Sequence, residues 1–218
     1  LPGIVPVIMN EKGEELKGND VEGNLCFSKP WPGMLRTIYK DHERCKKTYF
    51  NRFPEFYFSE DNCRRDKDGH YRITGRTDDV IKVSGHLLGT AEIENAINQH
   101  ERIVESAVIG YPHPIKVNAI AAFVISGNHV DDIGRLKKEI TYQINKTVGP
   151  IAKPEKIFLV SGLPKTRSGK IMRRILKKII QGERNDFGDT STLIDPSVVS
   201  NIIHDVTDAA IEYESSKK

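Results

Sequence analysis

No apolar run in this sequence approaches the roughly 20 residues that a membrane-crossing helix needs. The three cysteines, Cys26, Cys45 and Cys63, form no Cys-x-x-Cys pair and are odd in number. That argues against a disulfide framework or a zinc site, and for a reducing compartment. A net charge of +3 over 218 residues is too mild to demand nucleic acid or a membrane surface as partner. The Walker pattern G-x-x-x-x-G-K-[ST] is absent from these residues, and no internal repeat is visible. The opening Leu1-Pro2-Gly3 has neither an initiator Met nor a signal-type segment, as expected of a piece of something longer.

What is present suits a globular protein of one large or two small domains: 38% hydrophobic and 29% charged residues. Up to Gly75 the chain reads as β-rich. Strands are expected at Ile4 to Met9, Leu25 to Phe27 after Gly23, Phe56 to Ser59 and Tyr71 to Thr74, with turns at Asn10 to Gly13 and Lys67 to Gly69. A short helix fits Asp41 to Phe50, with Asp41 as its N-cap and Glu43 in the first turn. Beyond Asp79 helices take over. Ala91 to His100 places Ile93, Ala96 and Ile97 on one face, and Asp131 to Val148 repeats Ile133, Leu136, Ile140 and Ile144 at helical spacing. Strands fit Val104 to Gly110, Ala119 to Ile125 and Ile157 to Val160, and a helix fits Lys170 to Gln181. The order β-α-β-β-α-β-α describes an α/β (α+β) domain with helices on a small sheet. From about residue 182 the chain turns polar and reads as a loosely attached tail.

Between these regions lies Tyr71 to Thr90. A strand breaks at Gly75, crosses Arg76, Asp78 and Asp79, and resumes at Val80, Ile81 and Val83. A Gly-rich turn at Ser84, Gly85 and Gly89 then leads into a helix near Thr90. No Asn-Gly or Asp-Gly pair marks a tight hairpin across the charged knot. It reads as two units meeting at a polar joint, with an ordinary turn in one sheet equally compatible.

Lys165 to Lys178 holds seven basic residues and no acid. Ile171, Met172, Ile175, Leu176, Ile179 and Ile180 form an apolar stripe, so the helix is amphipathic. The Thr-Arg-Ser-Gly loop before it would bring Lys170 to a phosphate at a helix N-terminus. A basic nucleic-acid-binding module is the reading of another class, against which stands the lack of interleaved aromatics for base stacking. Asp61, after Tyr57-Phe58, suits ribose hydroxyls or a simple turn. Ser84 and Gly85 suit close approach of a ligand to the backbone, or a turn alone. His100 suits a cation beside free carbonyls or a helix-dipole contact.

The order of these segments is more specific than any one of them. Tyr57-Phe-Ser-x-Asp61, Ile73-Thr-Gly-Arg76-x-Asp78-Asp79, Val83-Ser-Gly-His86, Gly89-Thr-Ala-Glu-Ile-Glu94 and Pro164-Lys-Thr-Arg-Ser-Gly-Lys170 together resemble the adenylate-forming superfamily. Gly188-Asp-Thr-Ser-Thr192 and Asp195-Pro-Ser197 resemble its acetate-activating CoA-ligase branch. The resemblance implies that residues 1–77 are the β-barrel end of a large adenylation domain, and that 78–218 form a mobile C-terminal domain. It implies Lys170 as the adenylation lysine, Asp61 on the ribose, Arg76 and Leu87 toward the nucleotide, and Asp78 as the hinge. Ser84, Gly85 and Asn145 would lie along CoA, while Asn98, His100 and Ile103 would hold a cation. It further implies acetate, ATP and CoA as substrates (with propionate or another acid as the alternative), Mg2+, the family's N-terminal domain as partner, and a lysine acetylase or deacetylase acting on Lys170. Cytoplasmic location is expected, with nucleus and mitochondrion open. The family's Ser/Thr/Gly-rich phosphate loop is not among these residues, so no turnover is expected from them alone. Glu60 and Asn62 stand where the family favours Gly, Leu87 where bacterial members carry Arg, and Asn145 where an Arg is frequent.

Overall fold

The computed structural model describes residues 3–127 and 129–215, divided into two compact units, Leu1–Asp79 and Val80–Lys218. The first contains β1 (Pro6–Met9), β2 (Val21–Phe27), α1 (His42–Tyr49), β3 (Tyr57–Arg65) and β4 (Tyr71–Arg76). Its strands form one antiparallel sheet in sequential order. Asp41 caps α1 as expected, its carboxylate accepting the Arg44 N–H at 3.0 Å. Val7, Met9, Cys26, Phe53 and Phe58 make the core. Burial pushes the Cys26 thiol up to about 12, so this cysteine is an apolar packing group.

Gly23 lies inside β2, where the sequence suggested the strand begins after it. A Cβ there would stand 2.5 Å from the Met9 carbonyl oxygen, so close approach of β1 requires glycine. Nor does the next strand break at Gly75. Asn62 faces Gly75 and Cys63 faces Ile73, which leaves Thr74 as the extra residue of a β-bulge, and Gly75 takes φ +146°.

The second unit contains β5 (Val80–Val83), β6 (His86–Gly89), α2 (Thr90–Asn98), β7 (Ile103–His113), β8 (Val117–Ser126), α3 (Ile133–Thr147), β9 (Lys156–Leu159), α4 (Arg173–Ile180) and α5 (Ser197–Ser215). β8 is its axis. It runs antiparallel to β7, while its other edge takes β5 at Val117 and, in parallel, β9 along Ala121 to Val124. The β8 sequence is apolar at nearly every position, as a strand covered on both faces must be. Alternation sends Ile120, Ala122 and Val124 to the side of α2 and α3, and Ala121 and Phe123 to the side of α4 and α5.

Three expectations change here. Ser84 and Gly85 both adopt positive φ, +48° and +90°, forming a two-residue turn that folds His86–Gly89 back on β5 as an extra strand. α4 starts at Arg173, so Lys170 precedes the helix instead of opening it. The loose tail from residue 182 is in fact packed. α5 buries Val198, Val199, Ile202 and Val206 among Phe158, Leu176 and Ile179. Asp195 accepts both the N–H and the hydroxyl of Ser197 at the head of that helix, which explains the Asp-Pro-Ser motif as a start signal.

Candidate active site

In the first unit the ladder places Asp61 of β3 opposite Arg76 of β4. The Asp61 N–H donates to the Ser59 hydroxyl at 3.2 Å, and that hydroxyl donates to the Leu25 carbonyl at 3.0 Å. Glu60 between them adopts φ +63°, a left-handed conformation that costs an L-residue about 1–2 kcal/mol, so glycine would be the easier occupant. Its carboxylate is not turned away from the site: it pairs with Arg76 Nη2 at 3.1 Å. Asn62 is buried. The sequence did not disclose the aromatic cluster beside Asp61. Tyr49 stacks on Tyr57 with centroids 5.1 Å apart, and Trp31 and Phe50 meet that ring edge-on. Burial raises the Tyr57 hydroxyl pKa, helped by negative neighbours that include Glu60 and Asp61. A hollow lined by Trp31, Met34, Leu35, Cys45, Lys46 and Phe50 lies in the same unit and includes none of the residues singled out by motif.

Asp78 sits in the short 3₁₀ turn Thr77–Asp79, the last residues of the first unit. Leu87 lies in β6 opposite Lys82. The side chains of Asp78 and Leu87 fall outside the described part of the structure.

The second unit holds the remaining residues. The Ser84 N–H donates to the Lys116 carbonyl at 3.4 Å, tying the Ser84-Gly85 turn to the one joining β7 and β8. That turn is closed in its own right by His113, whose Nδ1 accepts the N–H groups of Ile115 and Lys116 at 3.2 Å each. No atom lies within 4 Å of where a Gly85 Cβ would be, so the turn presents bare, exposed backbone. Asn145 is exposed in the last turn of α3. Asn98, His100 and Ile103 gather at the C-terminal end of α2. The Asn98 side-chain oxygen accepts the Ser106 hydroxyl at 2.7 Å, the His100 carbonyl accepts the Ile103 N–H at 2.9 Å, and the His100 ring faces Glu139 at 3.3 Å. The cluster offers a hard cation carbonyl and amide oxygens, each with a second lone pair, and no carboxylate of its own.

Lys170 stands on a small β-hairpin. Lys165 bridges Ile171, the Thr166 N–H donates to the Lys170 carbonyl at 2.9 Å, and the Lys170 N–H donates to the Thr166 hydroxyl at 3.1 Å. Gly169 closes the turn at φ +81°. Below the hairpin, Arg173 at the start of α4 is locked to Glu94 of α2 by two 2.8 Å contacts, and Glu94 also accepts the Val108 N–H at 2.7 Å. The other basic residues of this segment are largely committed as well. Lys165 pairs with Glu105 at 2.6 Å, Arg174 donates to the Phe187 and Asp189 carbonyls, and Lys178 reaches the Asp186 carbonyl at 2.7 Å. Arg167 and Lys170 are exposed, and no side-chain partner is found for them among the described residues. An ammonium offered this way, on a braced turn and with no ion pair among the described residues, can bridge two anions.

Residues 92–170 match the family model of the AMP-binding enzyme C-terminal domain. Two solved structures share the fold: acetoacetyl-CoA synthetase from Streptomyces lividans (TM-score 0.81, 22% identity, 92% of this chain and 30% of that one) and anthranilate CoA ligase AuaEII in complex with anthranoyl-AMP (TM-score 0.70, 26% identity, 81% and 33%). The particular resemblance is narrower. The chain is 52% identical over 203 residues to acetyl-coenzyme A synthetase of Brucella canis, and 52% over 201 residues to that of Bradyrhizobium diazoefficiens. It spans 92% of its own length and 31% of theirs in both cases.

Proposed function

We propose that this chain is the C-terminal part of an AMP-forming acetate–CoA ligase. The observation that carries this reading is the 52% identity over 92% of the chain to acetyl-coenzyme A synthetases. In the first half-reaction a carboxylate oxygen of acetate attacks the α-phosphorus of ATP, pyrophosphate leaves, and acetyl-adenylate forms. In the second the CoA thiol attacks the acyl carbon, AMP leaves with the bonding electron pair, and the thiol proton passes to solvent. Mg2+ accompanying ATP supplies charge neutralisation on the phosphates.

Lys170 bridges acetate and the α-phosphate, two anions that otherwise repel each other. Asp61 accepts from the ribose hydroxyls. Arg76 exchanges Glu60 for the nucleotide, and Leu87 of β6 is assigned to the same ligand by its place in the motif. Asp78 is the pivot, since a few torsions at a seam between units absorb a large rotation. That rotation withdraws Lys170 and presents the bare Ser84-Gly85 turn to the pantetheine arm, with Asn145 toward the rest of CoA. Water is thereby kept from the adenylate between steps. The carbonyls at Asn98, His100 and Ile103 are the place for a structural cation. An acetylase would silence Lys170 by removing its charge, and a deacetylase would restore it. The reducing cytoplasm suits the three free, buried cysteines.

Propionate or a longer acid is the alternative substrate, to be decided by residues that line the acyl pocket. The nucleic-acid reading is disfavoured because Lys165, Arg173, Arg174 and Lys178 already serve internal contacts. The test is Lys170→Ala in the complete ligase. Adenylate formation should fall by about 10²–10³-fold or more, while transfer from supplied acetyl-adenylate to CoA persists. Equal loss in both half-reactions would remove Lys170 from the role given to it.

A further inference from the structure

The Lys170 hairpin has a third strand, and it comes from outside the matched domain. The Arg167 N–H donates to the Thr192 carbonyl at 3.1 Å, the Ile194 N–H donates to the Lys165 carbonyl at 3.0 Å, and Thr166 bridges Leu193. The family model ends at residue 170, so Thr192–Ile194 lies beyond it. We infer that this C-terminal segment is a positioning strand that holds the Lys170 hairpin in its adenylation geometry, an inference resting on the reading of Lys170 given above.

The physical case begins with the hairpin itself. An isolated two-stranded ribbon is marginal in water, and this one has a single bridge pair, Lys165 with Ile171. Pairing along its outer edge adds two backbone hydrogen bonds to the strand that leads into the turn. The segment is in turn tied down on both sides. Leu193 is buried at 4% exposure in the cluster with Phe187, Val198 and Ile202, so α5 anchors it downstream. Upstream, the Arg174 guanidinium grips the Phe187 and Asp189 carbonyls, and Asp189 accepts the Ser191 N–H at 2.9 Å. Arg174 sits next to Arg173, which is itself held by Glu94, so one stretch of α4 registers both the hairpin and its brace. Ile194, by contrast, leaves 62% of its surface exposed: its contribution to the strand is its N–H. A lysine that must reach two anions at once is sensitive to placement, since a displacement near 1 Å costs on the order of 10²-fold in rate. Transfer to CoA does not use Lys170 in this scheme and should not feel the brace.

Ile194→Pro deletes that N–H, and Ile194→Ala keeps it as the conservative rescue. Arg174→Met, which loosens the upstream tie without a proline, serves should the Pro variant not fold. On the full 218-residue chain, trypsin cleavage after Arg167 and Lys170 should speed up by roughly tenfold in the Pro and Met variants, and stay near wild type in the Ala variant. In the complete ligase the Pro and Met variants should lose adenylation by roughly tenfold or more, with transfer from supplied acetyl-adenylate unchanged. Wild-type adenylation in variants whose loop has become protease-sensitive overturns the inference while leaving the ligase reading intact. Equal loss in both half-reactions, or an Ala variant as impaired as the Pro variant, overturns it too. A complete wild-type protein that forms no adenylate defeats the ligase reading and this one with it.

Discussion

Glu94→Ala is the most demanding single perturbation of the second unit. Glu94 and Arg173 are 11% and 20% exposed at their side chains, and their two 2.8 Å contacts join α2 to the head of α4 across 79 residues of sequence. The same carboxylate accepts the N–H of the fully buried Val108 at 2.7 Å. Truncation takes the paired carboxylate from a largely buried guanidinium, which costs about 3–5 kcal/mol, and removes an acceptor from a buried amide, worth about 1–3 kcal/mol more. The two overlap, so a loss of about 4–6 kcal/mol is expected, equivalent to a melting shift of roughly 10–20 °C for a unit of this size. Glu94→Gln keeps an acceptor for Val108 and should lose about half as much. Arg173→Met should cost about 3–5 kcal/mol by taking the guanidinium from a buried acid. The Glu94→Gln/Arg173→Met double variant should be no worse than the poorer single one, since replacing a whole buried pair is close to neutral. Urea unfolding followed by far-UV circular dichroism measures each value. The single tryptophan, Trp31, reports the Leu1–Asp79 unit separately by fluorescence. Glu94→Ala and Arg173→Met each costing under about 1 kcal/mol, or a double variant that is simply additive, would refute a buried, mutually dependent pair.

Three further outcomes are expected. Ile202→Ala, at a fully buried position of α5, should cost about 2–5 kcal/mol by calorimetry, and a neutral result would restore the loose tail. Glu183 accepts the N–H groups of Arg184, Asn185 and Asp186, in that order at 2.8, 2.9 and 3.1 Å, and these hold its carboxyl down to about 2. Its folded pKa lies below the 4.5 of a free glutamate, so its stabilising effect is present above that pH and fades as pH falls toward 2. Carboxyl NMR titration checks this, and a midpoint near 4.5 would contradict the amide nest. The 218-residue chain assayed alone should make no acetyl-CoA, and measurable turnover would show that these residues suffice.

Local chemistry settled much of this protein before any tertiary contact was considered. Asp41 announces α1 because a carboxylate at an N-cap satisfies an otherwise orphaned amide. The unbroken apolar run of β8 announces a strand covered on both faces, since its alternation leaves no polar side. The lysine loop is legible because Thr166 to Gly169 combines a hydroxyl and a glycine where a tight turn needs them. Three features were invisible for definite reasons. β6 depends on Ser84 holding a positive φ, which no non-glycine residue advertises. α5 looks weak as a helix because its apolar stripe is completed by Phe158, Leu176 and Ile179 from remote segments. The partners of the basic run, Glu94 for Arg173 and Glu105 for Lys165, lie 79 and 60 positions earlier in the chain. In the sequence those residues are a row of like charges. In the fold, α2 delivers Glu94 to Arg173 and β7 delivers Glu105 to Lys165, while Lys170 is exposed and has no ion pair among the described residues.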